Sequence, residues 1–260
     1  MLVNLGPRGR LIAFFVLAMA LGWMLYALPL FGLGTGGNLP ISPVLAAVIV
    51  VALTQGRAGL GVRLGRCLRW RTSPGWYVLA IGFSYVALPV AAVLAVALGA
   101  APLSAAALSE WVLIPVGFVI MFIFVGIGEE WGWTGFALPE LAALGPWWQQ
   151  VGILAILRMV WHVPLLFTAD GIDWPVFVLI FGAQFLWATA FRHSGGLVMV
   201  VACWHASLNS VGGEFLSPMF VGPDSMTFSS LWVLAYLLLI AVVLYRYRAD
   251  FSSAPAPQPA

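Results

Sequence analysis

The sequence contains no lysine: all eleven of its basic residues are arginine. Charge of either sign is scarce, at 8% of 260 residues, where soluble domains carry about 25%. A soluble fold of this size cannot cover its surface with so few charges, so the solvent that fits is a lipid bilayer. A net charge of +2 is too small for a nucleic-acid binder, and no nucleic-acid partner is expected. The two cysteines stand in unlike surroundings, Cys67 in an arginine-rich stretch and Cys203 deep in an apolar run. That excludes a disulfide framework. No sequence repeat and no soluble domain are present. The one low-complexity tract is the tail S-S-A-P-A-P-Q-P-A, and residues 251–260 are expected to be disordered.

What is abundant is apolar sequence, 63% of the chain. A spanning helix needs roughly 20 mostly apolar residues, about 30 Å at 1.5 Å each. Eight segments fit: 11–31, 41–56, 75–99, 111–135, 147–168, 174–191, 196–212 and 229–245. The first is too long for a signal-peptide core and is read as a retained span. The expected fold is therefore an all-α, polytopic transmembrane bundle of about eight helices, one domain over 1–250. Loop charges orient it. Arg8 and Arg10, the loop with Arg57, Arg63, Arg66, Arg69 and Arg71, Arg192 with His193, and Arg246 with Arg248 all fall on one side of that count. Glu110, Asp170, Asp173, Glu214 and Asp224 fall on the other. The positive-inside rule then puts both termini in the cytoplasm. The arginine-rich loop also reads as a stripe for anionic lipid headgroups.

Within the spans few ionisable residues remain: Glu129 and Glu130, Arg158 and His162, and His205. A charge at the bilayer centre costs about 2.5–3.5 kcal/mol on insertion scales, so such residues face the protein interior and mark function. Five of them on three spans imply one polar cavity. His205 and Asn209 are four apart and share a helix face, as do Arg158 and His162. Glu129 and Glu130 are neighbours, about 100° apart around a helix, so they point differently and have different roles. Glycines 126, 128, 132 and 135 surround them, allowing close helix approach or room around the carboxylates.

The stretches E-E-W-G-W-T, R-M-V-W-H and H-A-S-L-N resemble the motifs of the CPBP family of intramembrane proteases, also called the CAAX protease and bacteriocin-processing, or Abi, family. Those motifs are E-E-x-x-x-R, F-x-x-x-H and H-x-x-x-N on separate membrane helices. The similarity spans roughly residues 110–215, the expected catalytic core. Two positions depart from the pattern: Thr134 stands in place of arginine, and Arg158 in place of phenylalanine. We expect Arg158 to replace the lost cation by pairing with Glu130; without that replacement the chain is a degenerate, inactive relative.

The resemblance implies a glutamic-type endopeptidase of the cell membrane, cleaving a peptide or membrane-associated protein substrate without a cofactor. Glu129 and His162 would activate a water, His205 and Asn209 would stabilise the oxyanion, and Glu130 would be structural or would orient Glu129. A compact chain points to a prokaryotic cytoplasmic membrane. Two alternatives stay open. Two Glu and two His are competent zinc ligands, although the H-E-x-x-H signature is absent. Intramembrane Glu and His also build proton relays, which leaves a transporter or a non-catalytic membrane protein. Nothing in the sequence selects a substrate.

Overall fold

The computed structural model describes residues 3–32, 36–142, 145–168 and 171–252. Asp170 and the tail from 253 onward lie outside the described residues. Every described element is helical. In chain order these are α1 (Pro7–Phe31), α2 (Ser42–Cys67), α3 (Pro74–Ala97), α4 (Ala105–Leu141), α5 (Trp147–Phe167), α6 (Trp174–His193), α7 (Val198–Leu208, running on as a π-helical stretch Asn209–Leu216), α8 (Pro223–Arg246) and the short α9 (Arg248–Ser252).

Among the described residues seven helices, α1 to α6 and α8, are long and apolar enough to cross a membrane. The eighth expected span, 196–212, is α7 with its π-helical extension. It carries His205, Ser207, Asn209 and Ser210, and it is buried along almost its whole length. Neighbouring helices, rather than lipid, satisfy those polar groups, so the segment need not be as apolar as a lipid-facing span. A second departure concerns the stretch expected to be an arginine-rich loop. Gly56 takes φ +66°, ψ −163° and kinks α2 there. The chain then continues as helix to Cys67, so Arg57, Arg63 and Arg66 lie on a helix and only Arg69 and Arg71 on the connection to α3.

Apolar side chains lie on both sides of the bundle wall. Val16, Val78, Val86, Val93, Val119, Leu238 and Val242 are exposed, which suits helices solvated by acyl chains. Inside are two clusters. Phe14, Trp133, Phe136 and Trp161 fill the space between α1, α2, α4 and α5. Leu88, Trp204, Trp232 and Tyr236 fill that between α3, α6, α7 and α8. Because lipid is as apolar as leucine, close packing and interhelical hydrogen bonds hold such a bundle together. Trp161 Nε1 donates to the Ala18 carbonyl and to Ser42 Oγ, both at 3.2 Å, pinning α5 to α1 and α2. Ser84 Oγ meets Tyr236 Oη at 2.7 Å and Ser207 Oγ at 3.1 Å, joining α3, α8 and α7.

The two ends of the bundle carry opposite charge. At one end Arg10 and Arg63 both grip Glu140, Arg192 lies over Trp147 and His193 pairs with Asp250. At the other, Asp173 accepts from Ser225 and Ser229, and Asp224 accepts from the Ala101 amide at 2.9 Å. The basic clusters read from the sequence thus gather at one end.

Candidate active site

The polar residues expected in the membrane meet at the seam between the two apolar clusters. Glu129 and Glu130 come from α4, Arg158 and His162 from α5, and His205 from α7; all five are buried. One ligand atom from each of Glu129, Glu130 and His205 lies within 4.8 Å of the others. Glu130 is ten residues from Glu140, whose arginine partners mark the basic end. At 1.5 Å per residue that is about 15 Å, halfway into a 30 Å hydrocarbon layer.

The glycines of α4 explain how the helix reaches this position. A Cβ at Gly132 would lie 2.5 Å from the Pro43 backbone, and one at Gly126 would lie 2.7 Å from the Ala202 carbonyl oxygen. These positions serve close approach to α2 and α7 rather than space beside the carboxylates. Helix α4 also widens into π-helical turns over Phe122–Ile127 and Trp133–Ala137, on either side of the glutamates. The stretch after His205 does the same from Asn209. Such π-bulges are frequent at functional sites.

The two glutamates are held very differently. A carboxylate offers about four lone-pair directions, and Glu130 has all of them engaged. Its Oε2 accepts from Thr134 Oγ1 at 2.6 Å and from Arg158 Nη1 at 3.5 Å. Its Oε1 accepts from Arg158 Nη2 and faces His205 Nδ1 at 2.8 Å. Among the described residues Glu129 has one bond, from Arg158 Nη2 to Oε2 at 3.2 Å, and its Oε1 is left for another donor. The pairing of Arg158 with Glu130 across the α4–α5 interface is present. Thr134, standing where the motif has arginine, hydrogen-bonds the same carboxylate from one turn along α4.

His162 Nδ1 lies 2.8 Å from the Arg158 carbonyl. A carbonyl only accepts, so Nδ1 carries a hydrogen, and in the neutral ring Nε2 then keeps a lone pair. His162 stands outside the 4.8 Å cluster of Glu129, Glu130 and His205. Asn209 is half-buried. Its Nδ2 donates to the His205 carbonyl at 3.1 Å, so the amide lies back along its own helix.

Two participants come from α6, a helix that supplied no candidate in the sequence reading. Gln184, fully buried, accepts from Arg158 Nη1 at 3.0 Å. The Trp187 ring lies 4.4 Å from the Arg158 guanidinium and 4.7 Å from the His205 ring. Their spacing of three puts both on one face of α6, and that pattern was visible in the sequence. Glutamine and tryptophan within an apolar span are too common to signal a site without knowledge of what they face.

Residues 110–211, which bring together α4, α5, α6 and most of α7, match the family model described as type II CAAX prenyl endopeptidase, Rce1-like. The matched region contains every residue of the cluster and agrees with the resemblance carried by the three motifs. No curated protein matches the chain.

Proposed function

We infer that this multi-pass membrane protein is a CPBP-type intramembrane endopeptidase whose two adjacent glutamates divide anchoring from chemistry. One observation carries this reading: every lone pair of Glu130 is engaged, while Glu129 keeps an oxygen without a partner. A saturated carboxylate cannot take a proton without losing a donor, whereas Glu129 can.

In this reading a water sits between Glu129 and the Nε2 lone pair of His162. Glu129 takes a proton as the water oxygen bonds to the scissile carbonyl carbon. The same proton passes to the leaving nitrogen as the C–N bond breaks, giving an acid and an amine. An N–H on His205 Nε2, with an Asn209 amide turned from its present partner, would serve the oxyanion. Arg158 orients both glutamates and is itself held by Gln184 and Trp187.

Resident zinc fits this donor set poorly. The atoms of Glu129, Glu130 and His205 are close enough to share an ion, but Arg158 Nη2 lies against all three, at 3.2 Å from Glu129 and 3.3 Å from His205. A divalent cation there would stand beside a permanent positive charge. We therefore propose metal-free catalysis, with cleavage unaffected by chelators.

The test is cleavage of a peptide library by purified protein in detergent. Wild type should cleave and Glu129→Gln should be slower by about 10²–10⁴-fold. Equal cleavage by both would remove Glu129 from the mechanism.

A further inference from the structure

The basic end of the bundle has a cavity of about 540 Å³, away from the glutamate cluster. Leu68, Arg69, Trp70 and Arg71 line one side; Ser194, Gly195 and Leu197, in the turn between α6 and α7, line the other. Of the five arginines between 57 and 71, Arg63 has a carboxylate partner in Glu140. The side chains of Arg69 and Arg71 form no hydrogen bond or ion pair with the described residues. Each is exposed, and each is held near the cavity. The Arg71 guanidinium lies 5.5 Å from the Trp70 ring centre, and a Cβ on Gly196 would lie 3.9 Å from Arg69 Nη2. Tyr77 Oη donates to the Trp70 carbonyl at 2.8 Å, tying this connection to α3.

We propose that this cavity binds the phosphate headgroup of an anionic phospholipid. Two guanidiniums with no hydrogen-bond or carboxylate partner among the described residues supply the charge and the planar donor forks that phosphate oxygens accept. Leu68 and Trp70, 58% and 61% exposed, sit beside them as apolar surface. A free phosphate has no use for that surface; the glycerol and upper acyl region of a lipid covers it. Tryptophan at the level of the headgroups is a usual interfacial anchor, and this end carries the positive charge that anionic leaflets attract. The site does not depend on the proteolytic reading.

The full chain would be placed in phosphatidylcholine nanodiscs containing phosphatidylglycerol, and the lipids it retains on release counted by native mass spectrometry. Wild type should retain phosphatidylglycerol selectively. At about fivefold per arginine, Arg69→Ala with Arg71→Ala should weaken that retention about 30-fold, leaving phosphatidylcholine unchanged. Arg69→Lys with Arg71→Lys, which keeps the charge, should stay within about fivefold of wild type. Arg57→Ala with Arg66→Ala, outside the cavity, should also change it less than about fivefold. Equal losses in the two alanine pairs would reduce the site to a diffuse surface field and overturn the proposal. So would release of the lipid by millimolar inorganic phosphate, which would assign the cavity to the free anion.

Discussion

Two arginine–glutamate clusters in this protein use the same groups in opposite proportion. At the basic end two arginines share one carboxylate, Glu140, and each arginine side chain keeps about a fifth of its surface exposed (19% and 21%). In the middle of the bundle one arginine, with no exposed surface, serves two carboxylates. The first arrangement has positive charge to spare and a route to the headgroups for it. The second has a negative charge to spare and no such route. Surplus charge near an interface is solvated cheaply, whereas surplus charge in the interior persists only when neighbours hold it. The glutamate with a partner missing is therefore found where that incompleteness is most costly, which supports the catalytic role proposed for Glu129.

The contrast can be broken most severely at Arg158. Arg158→Ala leaves two buried carboxylates without a cation and should cost about 3–5 kcal/mol of stability, read by chemical unfolding in detergent. A loss under about 1 kcal/mol would mean that the cluster does not depend on its cation. Next comes a relocation. On an Arg158→Phe background, Thr134→Arg puts a guanidinium one turn from Glu130 on the same face of α4. It should recover about half or more of the lost stability, and no recovery would show that the cation must come from α5. The two glutamates should then separate. Glu130→Gln is expected to lower stability by about 2–3 kcal/mol along with cleavage. Glu129→Gln should leave the unfolding free energy within about 1 kcal/mol while abolishing most cleavage, and identical unfolding profiles would erase the distinction. Gln184→Leu strands one donor of Arg158 and should cost about 1–3 kcal/mol. The smallest effect is expected at the other cluster. Glu140→Gln should cost about 1 kcal/mol or less, because Arg10 and Arg63 can turn to the headgroups, and should leave cleavage rates unchanged.

Much of this was legible along the chain. Length and apolarity of a run are local properties, and they sufficed for seven of the eight helices expected to span. Spacing of four on one helix face sufficed to pair Arg158 with His162 and His205 with Asn209. The expected end of the second span at 56 coincides with the break at Gly56; the helical continuation to Cys67 escaped, because an arginine-rich stretch after an apolar run reads as a loop. The close contacts of Gly126 and Gly132 escaped for another reason: what a missing Cβ makes room for lies on another helix.

Helices, their apolar faces, the end that gathers arginine and the five ionisable residues in the middle of the spans follow from composition and periodicity, since each depends on residues a few positions apart; the burial of Glu140 between Arg10 and Arg63 does not. The different hydrogen-bonding of Glu129 and Glu130, and the recruitment of Gln184 and Trp187 around Arg158, depend on contacts between residues 26 to 75 positions apart. Periodicity says which way a side chain faces but not what stands opposite, and in a helix bundle that is decided only when the helices pack.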